Sequence, residues 1–401
     1  MSASAEHTDP QHHDIVIIGA GPAGLAFARA LAETGLNMVL VERQPLDVLQ
    51  DPPNDGRDIA LTHTSETLMQ ELGLWAHIPA DEIGTIRDAK VIDGTDPYAL
   101  HFAAQETGAD YLGRIVPNHL IRKAAYAAVQ DAPNVRILAG RSVTGVETDA
   151  RCGHVTLDDG RVLTAPLVIA ADSRMSENRR RMGIAAQMKD FGRVVIVTEM
   201  THALPHDDVA TECFHYDRTL AILPLAGLKS SVVITLPADQ AEAVLAMDPD
   251  DFAADIAERF AHRLGRMALC AERHAYPLMG VLANRFVANR FALVGDAAVG
   301  MHPVTAHGWN LGLSGAALLA DEIRAARARG EDIGSMGGLA AYERQHRRKV
   351  LPLYHGTNAL VRLFTDDSGP ARMMRSAALR LGNVLTPVKR QIEKQLTEMQ
   401  I

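Results

Sequence analysis

The chain has too few cysteines, too far apart, for covalent or metal cross-links to organise it. Cys152, Cys213 and Cys270 are the only three in 401 residues. An odd, dispersed set makes neither a disulfide framework nor a metal spacing, and it points to a reducing compartment. Long hydrophobic runs are also lacking. No apolar stretch of about 18 residues occurs, so no membrane-spanning helix is expected. Residues 1–13 are polar and lack the apolar core of a signal peptide; residues 1–12 read as a disordered tail. Positive charge is not in excess: the net charge is −9 and the pI is near 6.0, which argues against a nucleic-acid partner. There is no internal repeat and no long low-complexity tract. What remains is 47% apolar and 22% charged residues, the balance of a globular cytoplasmic enzyme large enough for more than one lobe.

The strongest local pattern is Ile15-Val-Ile-Ile-Gly19-Ala20-Gly21-Pro22-Ala23-Gly24. An apolar β-branched run reads as a buried parallel strand, followed at once by a glycine turn and an Ala-rich helix over 25–34. Gly19 permits the turn, Gly21 lets backbone approach a pyrophosphate, and Gly24 lets helix and strand lie close. Unpaired N–H groups of the first helical turn then face the anion. A lone GxGxxG is weak, but here Gly35 stops the helix and a second strand over 37–41 ends at Glu42. That carboxylate can accept ribose hydroxyls, and it follows Gly24 at close to the roughly 20 residues of a dinucleotide fingerprint. Arg43 comes next.

Residues 45–58 read as a loop. Arg57 at its end is either a phosphate contact or a solvated loop charge. Ser65 to Leu72 reads as a helix capped by Thr64 or Ser65 and stopped by Gly73. Residues 84–108 alternate like a strand pair in a separate lobe. Residues 117–130 form a helix with Asn118 near its start. Strands are expected over 135–138, 143–147 (from Val143) and 154–157, with a hairpin turn at Asp158-Asp159-Gly160. A buried strand over 167–171 ends at Asp172, before a basic run, Arg174 to Arg181. Three strands are expected around 191–200, 211–216 and 221–236, broken at Pro224. Helices follow over 239–265, strands return near 275–278 and 291–294, a long helix covers 307–329, and 337–401 is helical and basic.

A second anchor is Phe291-Ala-Leu-Val-Gly295-Asp296, followed by His302-Pro303 and then His307-Gly308-Trp309-Asn310-Leu-Gly312-Leu. Asp296 can accept hydrogen bonds from ligand hydroxyls or cap a helix. His302 and His307 read as packing or hydrogen-bonding residues rather than acid/base groups, and no spacing supports a metal. Taken with GAGPAG, Glu42 and Asp172, this set resembles the group A flavoprotein aromatic hydroxylases. Within them it is most similar to the ubiquinone-biosynthesis hydroxylases (the UbiH/UbiF/VisC group), with the UbiM-type 5-demethoxyubiquinol hydroxylases nearest. Tyr276-Pro-Leu, Leu223-Pro-Leu and the basic tail add to the likeness, which spans about 14 to 395.

The resemblance implies an α/β, p-hydroxybenzoate hydroxylase-like fold. Its parts are a Rossmann-type FAD domain over 13–83, 111–185 and 279–335, a β-sheet substrate domain over 84–110 and 186–278, and C-terminal helices over 336–401. It implies an FAD site drawn from Gly19 to Gly24, Glu42, Arg43, Arg57, Asn118, Val143, Asp172, Gly295, Asp296, Pro303, His307, Gly308, Trp309 and Asn310. The helix after Gly312 is expected to point its N-terminus at the reduced ring. It also implies an NADH- or NADPH-reduced, O2-using monooxygenase that hydroxylates a prenylated phenol or quinol through a flavin C4a-hydroperoxide. A lipid-soluble substrate leaves open peripheral attachment at the membrane's inner face or to a biosynthetic complex, and an oligomer; the basic tail reads first as solvated helix faces and second as a surface for such attachment. Three positions depart from the family pattern: Ser173 replaces a glycine after Asp172, Ala306-His307-Gly308 replaces Gly-Gln-Gly, and Ser314-Gly315 replaces Arg-Asp. Hydroxylation of a small soluble phenol, or a non-catalytic flavoprotein subunit, are the rival readings; the Trp-x-Trp-x-Ile stretch of halogenases is absent.

Overall fold

The computed structural model describes residues 11–93, 99–215, 218–301 and 307–365. Ile15–Ile18 lies inside a six-stranded sheet, with spatial order Val287–Ala288, Phe291–Leu293, Leu167–Ala170, Ile15–Ile18, Met38–Glu42, Val135–Ala139. All neighbours are parallel except the short first strand. Every side chain of Ile15–Ile18 and of Leu167–Ala170 is buried, which is why these strands read as unbroken apolar runs rather than alternating ones. The helices Pro22–Leu31 and His307–Ala328 pack on each other. A four-stranded sheet that includes Val143–Thr148, Gly153–Leu157 and Val162–Ala165 adds Val155, Leu157 and Leu163 to the same core.

A nine-stranded sheet forms the second lobe. It takes Asp88–Asp93 and Ala99–Ala103 from one part of the chain, and Ala186–His202, Val209–Phe214, Thr219–Pro224, Lys229–Pro237, His274–Ala283 and others from another. Its two faces follow from strand alternation. Ile196, Val232, Ile234 and Leu236 meet Phe252 and Ile256 of the helix Pro249–Arg259 on one side. Val195, Val197, Val233, Tyr276 and Leu278 form an apolar patch on the other. A three-stranded sheet of Asp58–Leu61, Gly113–Pro117 and Gly84–Ile86 lies near that second face: Gly56, just before it, has its Cα side against His274 and Val197.

Several local expectations are corrected. The 45–58 stretch contains a helix, Leu46–Gln50, which packs on the helix Asn118–Ala127. The helix His63–Glu71 is capped by Thr62, whose hydroxyl accepts from the Ser65 N–H at 3.2 Å, not by Thr64 or Ser65. The break expected at Pro224 divides the 221–236 segment into two separate strands, Thr219–Pro224 and Lys229–Pro237, rather than one interrupted strand. The helices of 239–265 end at Arg259, and Ala261 and His262 follow in left-handed backbone. The basic run 174–181 becomes a short helix, Glu177–Arg181, with Arg179 in the core. In Met336–Thr365, Arg347 Nη1 donates to the carbonyls of Ala283 and Asn284, and Lys349 Nζ to Ser314, so part of the basic character is used internally. Residues 366–401 lie outside the described residues.

Candidate functional site

The three motifs far apart in sequence meet at one end of the parallel sheet. Gly19 has φ +105°, its N–H donates to Val41 O at 2.8 Å, and a Cβ there would sit 2.5 Å from Ala171 O. Gly24 closes on the same turn: its Cβ would lie 2.1 Å from Gly19 O. Gly295, at φ +60°, would place a Cβ 2.8 Å from that of Ala23, and Gly312 packs on the Gly295 Cα. Residues 19–24, 171–172 and 295–296 thus share one cleft, with the helix Pro22–Leu31 opening into it. Its N-cap is Gly21; among the described residues no side chain caps it, and apart from its chain neighbours none lies within 4 Å of where a Gly21 Cβ would be. Free N–H groups and open room together suit an anion.

Glu42 is fastened to this turn. Its Oε2 accepts from the Ala20 N–H at 2.8 Å and its Oε1 from the Gln44 N–H at 2.9 Å. Each oxygen has two lone pairs, so acceptor capacity for ribose hydroxyls remains. Arg43 beside it is exposed. Asp172 Oδ2 accepts from Asn178 at 3.0 Å, while its buried Oδ1 has no partner among the described residues. Asp296 Oδ2 accepts from Arg174 Nη2 at 3.1 Å, with the Asp296 side chain 39% exposed. Arg179, 2% exposed, braces both turns through Nη1 by donating to Arg174 O and Ala297 O, each at 3.0 Å. The Val143 carbonyl accepts from Arg181 Nη1 of the same helix.

Arg57 is held rather than freely solvated. It pairs with Asp55 at 2.5 Å and lies over the Tyr276 ring, 5.4 Å from its centre. Asn118 Nδ2 donates to the same carboxylate at 2.8 Å, and Tyr276 Oη to the Asp55 carbonyl at 2.7 Å. The negative charge of Asp296 also favours the Arg57 cation. Asn118 and Arg57 thus share the Asp55 carboxylate.

The residues of the second glycine loop divide. Asn310 clamps the helix His307–Ala328 to the strand Asp58–Leu61: its Oδ1 accepts from Thr62 N–H at 3.2 Å and its Nδ2 donates to Ala60 O at 2.9 Å. The helix begins at His307, so Gly312 is inside it and serves packing, not the helix start. Burial pushes the His307 pKa down to about 4, so its imidazole is neutral near pH 7. The buried Trp309 Nε1 has no partner among the described residues, and none of them, chain neighbours aside, lies within 4 Å of where a Gly308 Cβ would be. Pro303, with His302, lies outside the described residues. No group of residues among those described could hold a metal, and none of the described helices is long and apolar enough to cross a membrane.

A family model described as an FAD binding domain matches residues 12–351. Ubiquinone hydroxylase UbiM of Neisseria meningitidis (serogroup C, serotype 2a) is 49% identical over 390 residues, covering 96% of this chain and 85% of that protein. The chain belongs to the FAD-binding hydroxylase family of ubiquinone biosynthesis. A second member, ubiquinone hydroxylase UbiL of Rhodospirillum rubrum, is 36% identical over 377 residues, 94% of this chain and 87% of that protein. The fold is shared with p-nitrophenol 4-monooxygenase PnpA from Pseudomonas putida DLL-E4, at TM-score 0.79 and 19% identity over 96% of this chain and 99% of that one. The FAD-binding hydroxylase cleft fits its cofactor on this chain's own geometry. Room beside Gly21, an unpartnered Asp172 oxygen and a part-exposed Asp296 carboxylate are features a bound dinucleotide would complete.

Sequence reasoning missed Arg179, Asp55 and the pairing of Arg174 with Asp296. A basic run reads as surface charge, and nothing local marks one of its arginines as core.

Proposed function

We propose that this protein is an FAD-dependent monooxygenase that hydroxylates the ring of a prenylated phenol or quinol in ubiquinone biosynthesis, with O2 as co-substrate and NADH or NADPH as reductant. The convergence of residues 19–24, 171–172 and 295–296 on one cleft carries this reading. The likeness to UbiM and UbiL supports the substrate class. FAD supplies the redox and oxygen-activating chemistry when bound.

The chain's own residues bind, orient and exclude water. The Gly21 turn and the helix after it hold the pyrophosphate, Glu42 the adenosine ribose and Asp296 the ribityl chain. Arg57, fixed by Asp55 and Tyr276, offers a cation to the same cleft. His307, kept neutral by burial, adds no charge beside the ring. The apolar patch of Val195, Val197, Val233 and Leu278 suits an alkoxylated ring, and burying a prenyl tail is favourable by about 0.8 kcal/mol per CH2. Ser173 stands where the family pattern has glycine, at the expected approach of the reductant. Attachment to a membrane surface or a biosynthetic complex belongs to the same reading, because such a substrate resides in lipid.

Deletion of the gene should leave a prenylated precursor lacking one ring hydroxyl, identified by mass spectrometry of the quinone pool; an unchanged pool counts against the reading. Asp296→Ala should weaken FAD by roughly 1.5–3 kcal/mol, toward the lower end because the carboxylate is over a third exposed. Titration of flavin-free protein with FAD measures this, and unaltered affinity removes Asp296 from the site.

A further inference from the structure

Asp58 is a buried carboxylate at the junction of the two lobes that no flavin contact explains. It begins the strand Asp58–Leu61, which Asn310 ties to the helix His307–Ala328 at Ala60 and Thr62. Both its oxygens are closed off from solvent, and neither has a hydrogen-bond partner among the described residues. It faces the inner side of the nine-stranded sheet. Its neighbour there is the Ser231 hydroxyl, which favours the ionised form although the two groups do not reach hydrogen-bonding geometry. Ser231 is directly opposite Glu199 in the sheet, on the face that carries Val197 and Val233 two residues along. The carboxylate therefore borders the apolar patch on one side and the flavin-binding helix, through its own strand, on the other.

The charges around it are Asp55 and Arg57 from its own segment, Glu199 from Ala186–His202, and Lys229 from Lys229–Pro237. His119 lies close enough to feel Asp55 and Glu199, and His274 touches Gly56. Desolvation dominates, with Glu199 and Asp55 adding to it and Ser231 and Lys229 opposing, so the carboxyl is pushed up to about 7. A buried, unpartnered carboxyl is costly to folding and is a mark of functional sites.

We propose that Asp58 is the proton acceptor for the ring hydroxyl of the substrate, a role that rests on the hydroxylase reading above. The substrate O–H bond breaks, its electron pair stays on the ring oxygen as a phenolate, and the proton passes to an Asp58 carboxylate oxygen, giving the neutral acid. The phenolate raises electron density at the ring carbon to be hydroxylated. The proton then leaves through Glu199, whose carboxylate is 3.9 Å from Lys229 Nζ and accepts from Asn54 Nδ2 at 3.3 Å near the surface. A neutral imidazole such as that of His307 is not needed for the step.

The test uses FAD-loaded protein with a short-chain alkoxylated quinol. Wild-type hydroxylation should rise with pH through about 7, because the base works ionised. Asp58→Asn should lower the rate on the order of 100-fold and lose that rise, with FAD content and NAD(P)H-driven flavin reduction unchanged. Asp58→Glu should recover part of the rate. Ser231→Ala, which leaves the carboxyl in place, should move the rise to higher pH. Flavin-free protein gives an independent readout. The folded pKa lies above the unfolded value of 3.8, so the penalty grows as pH rises from about 4 to 7 and is complete above it. The melting temperature of Asp58→Asn relative to wild type should therefore be higher at pH 8 than at pH 5. If Asp58→Asn keeps the wild-type rate and pH profile, or Ser231→Ala leaves the profile unmoved, the assignment of Asp58 falls while the hydroxylase reading stands. If wild-type protein hydroxylates no quinol or phenol, both fall.

Discussion

Gly21→Val should give a folded, colourless protein. Gly21 is the N-cap of the helix Pro22–Leu31 at φ −70° and ψ 174°, extended backbone that valine adopts without strain. None of the other described residues comes within 4 Å of the new Cβ, chain neighbours aside, so stability should change by no more than about 0.5 kcal/mol. The side chain does fill the room beside the helix N-terminus that the proposed function assigns to the pyrophosphate, so flavin should be absent after purification and after reconstitution. Gly24→Ala makes the contrast. One added methyl would sit 2.1 Å from the Gly19 carbonyl oxygen and 3.3 Å from the Ala171 Cβ. Backbone must move, at a cost typical of overpacking, about 1–3 kcal/mol or more, so this variant should lose both stability and flavin. Visible flavin absorbance per mole of protein, read alongside a melting curve, separates the two. Full flavin occupancy in Gly21→Val would contradict the assigned turn.

Arg179→Met should cost about 3 kcal/mol of stability and loosen FAD with it. The guanidinium is 2% exposed and donates to two carbonyls, Arg174 O and Ala297 O, each at 3.0 Å. Burial lowers its pKa, and the charge of Asp172 opposes that shift. Methionine keeps much of the volume but leaves both carbonyls short of a charged donor, and hydrogen bonds to charged groups contribute about 1.5–3 kcal/mol each. Some of that loss is offset, because an incompletely compensated cation leaves the interior. The two carbonyls belong to the turns that carry Arg174 and Asp296, so the cleft should lose definition even where the fold persists. Urea unfolding and FAD titration of the same preparation test both parts. Unchanged stability would mean that Arg179 is accommodated rather than bracing.

The elements legible in the sequence were those whose signal is local. A covered parallel strand must be apolar at every position, as in Ile15–Ile18 and Leu167–Ala170. A tight turn at positive φ favours glycine, as at Gly19 and Gly295. An Asp before Pro is a local helix-start signal, and Asp248 is the N-cap of Pro249–Arg259. Errors fell where a side chain's partner lies far along the chain. The clamp that the Asn310 amide makes on residues about 250 positions away has no signal in the local motif. Ser65 looked like a cap, but the cap belongs to whichever hydroxyl reaches a free N–H, and Thr62 does.

Sequence alone determined the strand–turn–helix units, the carboxylates Glu42, Asp172 and Asp296 at strand ends, and the family these positions resemble, because backbone conformation and burial of a whole strand restrict residue type position by position. Tertiary structure decided which charges are buried and which face one another: Arg179 in the core, Arg57 locked to Asp55 and stacked on Tyr276, and Asp58 sealed between two lobes. Desolvation and Coulomb interactions depend on distance in space, and distance in space between residues about 120 or 170 positions apart in the chain is set only when the sheets have closed.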